Sequence, residues 1–471
     1  PQKKAKHFSL DLLRMNSPAG RSNRLFAEIQ PLFCFLESLC LFPGSRFVFK
    51  NCALVNKSCK SLKKQSSGCL LRDFLLHLKY SKPTRKGVIN MENNGAFYTG
   101  TYRNVFAEMG YKEADIQKRL EDTFNEMFYS DTRIFEAVSD DKGYITDTGN
   151  DDARTEGMSY GMMFCVQMNK KKEFDQIWNW AKTYMYQTEG KYKGYFSWSH
   201  QLDGTRNFDG PAPDGEEYFA MALLFASARW GDGEAPYNYK EQAQEILHTC
   251  VHKGENEEGC PMWDPRNYQI RFIPEADYTD PSYHLPHFYE LFAMMCRPED
   301  REFWKKAAKA SREFLHLACN EKTGLCAEYT EYDGTPRLMF GKDYYFSDAY
   351  RTVANMSLDN SWFDADDWQK ENADKLQTFF CENVPDHDYK TYAIDGTVID
   401  RPAMHPVAII ATNAQASLAS SGKYAKECVD LFWNTPLRKD KRRYYDNCLY
   451  MFAMLALSGN YRIYLTDDAV K

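Results

Sequence analysis

The chain reads as an all-α protein whose helices pair into a closed toroid, and three features carry that reading. Amphipathic segments at helical spacing follow one another from Gly95 almost to the C-terminus, separated by loops rich in Asp, Gly and Pro. Alternating strand patterns are scarce and short, at Tyr195–Trp198, Leu325–Tyr332 and Lys390–Ile394. The helical segments number about a dozen over roughly 380 residues, some six pairs, with no repeat of fixed period. Six pairs closed into a ring bury an inner set of helices. The loops at the N-terminal ends of that set then meet at one cleft.

In chain order, helices are expected near 98–109, 113–129, 155–169, 171–187, 214–230, 238–253, 281–296, 301–318, 344–357, 366–383, 404–418, 422–434 and 442–457. The third opens in the stretch Asp151 to Met163, DDARTEGMSYGMM, around which the rest is organised. There Glu156 precedes Gly157, Ser159 and Gly161, set among Met158, Met162 and Phe164. Small residues in an apolar helical run mark a buried helix whose start is approached closely. Burying a carboxylate is costly unless its proton affinity rises. A carboxylic acid still protonated near neutral pH is what general-acid catalysis requires.

The loops ahead of alternate helices carry the functional signal. Tyr144–Arg154, Tyr195–Asp214, Tyr278–His287, Lys342–Arg351 and Asp395–Pro406 each gather acids and aromatics at a helix start. Asp or Asn at such a place is ordinarily a cap. Five such loops exceed what capping needs, and a ring of helices makes them converge.

Size and charge narrow the partners. The 471 residues suit one large domain or two to three smaller ones. The net charge of −7 is uneven: residues 1–90 carry 17 Lys and Arg against 4 Asp and Glu, and residues 91–471 carry 42 against 62. An acidic body of this kind argues against nucleic acid as a partner. No apolar run reaches bilayer length, so no membrane partner is expected. The basic segment 1–90 holds an apolar patch, Ile29 to Val48, broken by Glu37, Pro43 and Arg46, too polar and too late for a secretory signal. It reads as a disordered or foreign extension ahead of a start at Met91, with 91–471 as one catalytic domain. Nine of the 14 cysteines lie beyond residue 90, scattered and without a CxxC pair. That pattern points to reduced core thiols and a cytoplasmic location. Oligomeric state leaves no mark in the sequence.

Acids flanked by Trp and Tyr are equipment for cutting glycosidic bonds. One carboxyl protonates the leaving oxygen, and a second attacks or activates water. The candidate acids are Glu156, Asp214, Glu216, Glu217, Asp264, Asp280 and Asp348. His200, His284, His287 and His405 offer no metal-site spacing, and His284–His287 crosses a proline, so no metal and no cofactor is expected. Serine-hydrolase, phosphate-loop and dinucleotide motifs do not occur.

TEGMSYGMM (Thr155–Met163), PAPDGEEYFAMAL (Pro211–Leu223), DPSYHLPHFYELF (Asp280–Phe292) and FSDAYR (Phe346–Arg351), in that order, resemble glycoside hydrolase family 8. Within it they are most similar to the branch of reducing-end xylose-releasing exo-oligoxylanases. The resemblance runs from about Gly95 to Tyr464. It implies an (α/α)6 barrel and an inverting hydrolase acting on xylo-oligosaccharides. It also implies Glu156 as general acid, Asp348 as general base and Tyr283 as the residue that positions the water. Asp214 and Trp198 are implied to hold and distort the sugar before the cut, with Arg351 steadying Asp348. Inversion implies a carboxyl separation of ~6.5–9.5 Å, wide enough for a water molecule. Arg401–Pro406, with His405, resembles the loop that closes the cleft one sugar beyond the cut. The family has Leu where this chain has Met404. The alternative reading is an endo-acting relative on xylan, β-glucan or chitosan.

Overall fold

The computed structural model describes residues 94–466 and Ala469. The expectations for residues 1–90 lie outside them. Twelve long helices span the described residues, and in chain order they alternate between two burial patterns. α1 is Glu113–Tyr129, α2 Thr155–Gln167, α3 Lys171–Trp180 and α4 Pro213–Trp230. α5 is Tyr239–His252, α6 Pro286–Met295, α7 Arg301–Ala318 and α8 Tyr350–Phe363. α9 is Trp368–Asn383, α10 Pro406–Gln415, α11 Ala425–Asn434 and α12 Arg443–Leu457.

The even-numbered helices form the inner ring. α2 packs on α4, α4 on α6, α6 on α8, α8 on α10, α10 on α12, and α12 returns to α2. Each odd-numbered helix packs on the outside of an inner partner, as α7 does on α6 and α1 on α12. This is the closed toroid of six pairs that helix number predicts.

Sequence explains the two layers. α7 buries Trp304, Ala307, Ala308, Ser311, Phe314, Leu315 and Ala318, a single stripe at three- and four-residue steps. Truncating the fully buried Trp304 to Ala should cost about 3–5 kcal/mol. An inner helix has no such stripe because it is covered all round. In α8 every residue but Ser361 is buried, and in α12 every residue but Arg443. Close packing in the inner ring needs small residues at defined points. A Cβ on Gly157 would lie 2.7 Å from the Tyr444 ring, and one on Gly215 would lie 2.5 Å from the Thr155 side chain.

Three inner helices, α4, α6 and α10, begin on a proline, whose missing N–H costs nothing at the first turn. Among the described residues the strands are three two-stranded antiparallel pairs in the loops. β1 (Phe135–Ala137) pairs with β2 (Gly143–Ile145), and β3 (Ala153–Arg154) with β4 (Ser199–His200). β5 (Lys390–Tyr392) pairs with β6 (Val398–Pro402).

Several expected boundaries move. The segment 98–109 is two short turns, Ala96–Thr99 and Val105–Glu108, because Gly100 takes a left-handed conformation that ends the first. The segment 281–296 breaks at Leu285, since Pro286 disfavours helix in the residue before it. α8 begins six residues later than expected, and Asp348 sits in a 3-10 turn, Ser347–Ala349, ahead of it. Leu325–Tyr332 is not a strand, with isolated bridges at Thr330 alone. The strand placed at Tyr195–Trp198 lies just beyond it, at Ser199–His200. The end of the segment 171–187 winds as a π-turn over Ala181–Met185.

Candidate active site

The N-terminal ends of α2, α4 and α8 meet at one guanidinium. Arg351, the second residue of α8, is 4 % exposed. Its Nη1 lies 3.0 Å from Glu156 Oε2, 3.1 Å from Asp214 Oδ2 and 2.6 Å from the Tyr160 hydroxyl. Its Nη2 lies 3.3 Å from Asp348 Oδ1. Glu156 and Asp348 therefore stand on different nitrogens of one planar cation. The same guanidinium lies 5.6 Å over the ring of Tyr283, in the 3-10 turn Pro281–Tyr283.

Glu156 is the one residue of α2 that keeps some exposure, its side chain 17 % accessible. Its Oε1 accepts a 2.7 Å hydrogen bond from the Tyr444 hydroxyl, on the first turn of α12. Burial pushes the Glu156 carboxyl up to about 7. Arg351 and the Tyr444 hydrogen bond pull it down, while Asp214 and Asp348 push with the burial. Asp214, on the first turn of α4, is raised to about 6, again by burial against the pull of Arg351. One cation among three carboxylates cannot balance all of them ionised, so a proton stays within the group. Asp348 is the open member, its side chain 23 % exposed. The Tyr445 hydroxyl holds its neighbour by donating to the Ser347 carbonyl at 2.8 Å.

Two further acids press on Asp348. Asp280 is fully buried, with Oδ1 capping Ser282 N–H at 2.7 Å and Oδ2 without a protein partner. Burial, then the charge of Asp348, holds its carboxyl well above the usual range. Glu328 accepts from Lys342 Nζ at 3.0 Å, and burial together with Asp348 raises it to about 7.

Trp198 and His405 stand one step out from this group. The Trp198 indole stacks on Phe208 at 4.9 Å and lies under the Arg154 guanidinium at 5.1 Å. Its carbonyl accepts the Thr155 amide, next to Glu156. His405 Nδ1 lies 2.8 Å from Asp446 Oδ2. Arg438 Nη1 bridges the same Asp446 oxygen, at 2.8 Å, and the Met404 carbonyl, at 2.7 Å, which fixes the Arg401–Pro406 loop to α12.

Three candidate acids fall elsewhere. Glu216 Oε1 accepts the Phe196 amide at 2.9 Å, and burial lifts its carboxyl to about 8. Glu217 accepts the Tyr289 hydroxyl at 2.5 Å inside the wall. Asp264 is buried but ion-paired with Arg266 and Arg271, and the Arg266 hydrogen bonds hold it low. The histidines named in the sequence do not converge. His284 sits between Thr279 and Ser311, 2.9 Å from each hydroxyl, and burial keeps it neutral.

Tyr160, Tyr444, Tyr445 and Glu328 join the site without being among the residues expected from sequence. Tyr160 lies inside the stretch Asp151 to Met163 that carries Glu156. RRYYDN, Arg442 to Asn447, gathers aromatics and an acid at a helix start as the five loops do, and it completes the ring of six. Glu328 lies in an irregular loop with no comparable signal.

The sequence model described as Glycosyl hydrolases family 8 matches residues 136–459. The reducing-end xylose-releasing exo-oligoxylanase Rex8A of Paenibacillus barcinonensis is 58% identical over 381 residues, 80% of this chain and 100% of the relative. The reducing end xylose-releasing exo-oligoxylanase of Bifidobacterium adolescentis is 49% identical over 368 residues, 76% of this chain and 96% of the relative. Among solved structures, Rex8A from Paenibacillus barcinonensis complexed with xylose matches with TM-score 0.78 at 58% identity, covering 79% of this chain and 100% of that one.

Proposed function

The chain belongs to glycosyl hydrolase family 8, and on that premise we propose that it releases xylose from the reducing end of β-1,4-xylo-oligosaccharides with inversion. One observation carries the chemistry: Arg351 holds Glu156 and Asp348 on its two terminal nitrogens, where the inner helices begin. Membership of the family, with both carboxyls held in place, supports a water-mediated displacement.

Glu156, protonated near neutral pH, acts as general acid toward the glycosidic oxygen that departs. Asp348 draws a proton from the attacking water on the opposite face of the sugar ring. Tyr283, stacked under Arg351 beside Asp348, positions that water. Asp214 binds the ring before the cut, its Oδ1 without a hydrogen-bond partner in the protein. We assign Trp198, whose carbonyl holds the amide next to the acid, to the same sugar. Arg351 keeps the carboxylates from repelling one another and leaves a single proton on the acid side.

The Arg401–Pro406 loop supports the exo reading. It is pinned at Met404 and His405 through Arg438 and Asp446, so it forms a firm wall rather than a yielding flap. Residues 91–471 serve as the catalytic domain. The nine cysteines of the described residues are all unpaired, which supports a reducing compartment, the cytoplasm. No helix among the described residues is long and apolar enough to cross a membrane.

Incubation with xylotriose tests the reading. Xylose and xylobiose in equal amounts are expected, with little loss of viscosity on polymeric xylan. A rapid viscosity drop would indicate internal cleavage instead.

A further inference from the structure

His248 and His252 stand one turn apart on the outer helix α5, their rings 4.4 Å apart. Both face Asp300, in the 3-10 turn Pro298–Asp300 ahead of α7. His248 Nδ1 is 2.9 Å from Asp300 Oδ2, and His252 Nε2 is 2.7 Å from Asp300 Oδ1. The donor atoms of the three side chains all lie within 4.8 Å of one another. The carboxylate is buried, at 1 % exposure, while each imidazole is 31 % exposed. None of His200, His284, His287 and His405 belongs to this cluster, and the proposed reaction makes no use of it.

We propose that His248, His252 and Asp300 form a binding site for a divalent transition-metal ion of the zinc class, clipping α5 to the turn that starts α7. Two imidazoles at i and i+4 of a helix with one carboxylate is a donor set suited to zinc, cobalt or nickel. At metal–ligand distances of ~2.0–2.2 Å, tetrahedral donors stand ~3.3–3.6 Å apart, so each nitrogen parts from its Asp300 oxygen by about half an ångström while the two nitrogens, now within 4.8 Å, settle to the same spacing. The two partly exposed imidazoles have room to do so. Glu255 Oε1 sits 2.8 Å from His252 Nδ1 and fixes the ring with Nε2 toward Asp300, the outer-shell arrangement that orients metal-bound histidines. The open side leaves a coordination position to water.

The full chain, stripped with chelator, is titrated with zinc chloride by calorimetry and with cobalt chloride by visible absorption. One ion per chain is expected, with a tetrahedral cobalt spectrum and a melting temperature that rises with zinc. His248→Ala and His252→Ala should weaken binding about 100-fold or more, and Glu255→Gln about tenfold or more. Their xylose release should match the parent chain, which shows that the variants are folded. The proposal is overturned if the parent binds no tighter than about 1 mM. It is equally overturned if folded His252→Ala binds as the parent does.

Discussion

Asp214 and its neighbours Glu216 and Glu217 occupy a single turn of α4, yet they face two different worlds. Asp214 turns into the cleft and meets Arg351, while Glu216 and Glu217 turn into the wall and hold the Phe196 amide and the Tyr289 hydroxyl. Burial raises the proton affinity of all three. A raised carboxyl is therefore not by itself a mark of catalysis, since desolvation alone produces it. The cleft acids differ in sharing one cation with two partners, so a proton gained by one changes the others. The wall acids each serve one fixed hydrogen bond.

The sharpest way to break this contrast is to neutralise an acid on each side. Glu156→Gln and Asp348→Asn should each lower kcat by about 10²–10⁴-fold while leaving the fold intact. Steady-state xylose release and a melting curve check this. A mutant within tenfold of the parent removes that residue from the chemistry.

Arg351→Met should destabilise the chain by about 3–5 kcal/mol, because three carboxylates lose their cation. The sign follows from linkage. Without Arg351 the folded-state pKa values of Glu156 and Asp214 rise further above their unfolded values. Stability is then retained below about pH 4.5 and lost progressively as pH rises through 7. Denaturant midpoints at pH 5 and pH 8 should diverge more in the mutant than in the parent.

Tyr444→Phe is smaller. It removes the hydroxyl that favours ionised Glu156, so the acid holds its proton to higher pH. The alkaline limb of kcat/KM, expected near pH 7 in the parent, should move up, with kcat falling by no more than about tenfold. A limb that stays in place would detach Glu156 from that limb.

Least of all should change in Glu216→Gln. The amide oxygen still accepts from Phe196, so kcat stays within about twofold. The folded Glu216 carboxyl lies at about 8, above its unfolded value, so its contribution to stability is present below about pH 4.5 and lost as pH rises to 8. The parent should lose melting temperature across that window, and the mutant should lose less.

The legible and illegible parts of this molecule divide along the same line. Helix number and the two burial patterns follow from spacing, so α1 and α7 begin and end where periodicity places them. The α8 boundary does not, because the 3-10 turn carrying Asp348 is set by contacts such as Tyr445 to Ser347. Glu156 and Asp348 stood out as acids at helix starts. That Arg351 serves Glu156 and Asp214 as well as its near neighbour Asp348 depends on ring closure, which brings residues 195 and 137 positions apart into contact. Glu216, Glu217 and Asp264 looked equal to the cleft acids in sequence. The direction in which a side chain leaves its helix decides between them, and one-dimensional spacing resolves that poorly where a helix is buried all round.

The central claim is that water, activated on one side of Arg351, displaces a sugar protonated from the other. Xylotriose carrying ¹³C at its reducing-end anomeric carbon, followed by NMR during hydrolysis, tests it most directly. The account predicts that the label leaves entirely as free xylose while the new reducing end of xylobiose forms first as the α-anomer. Label retained in xylobiose, or a β-anomer formed first, would contradict it.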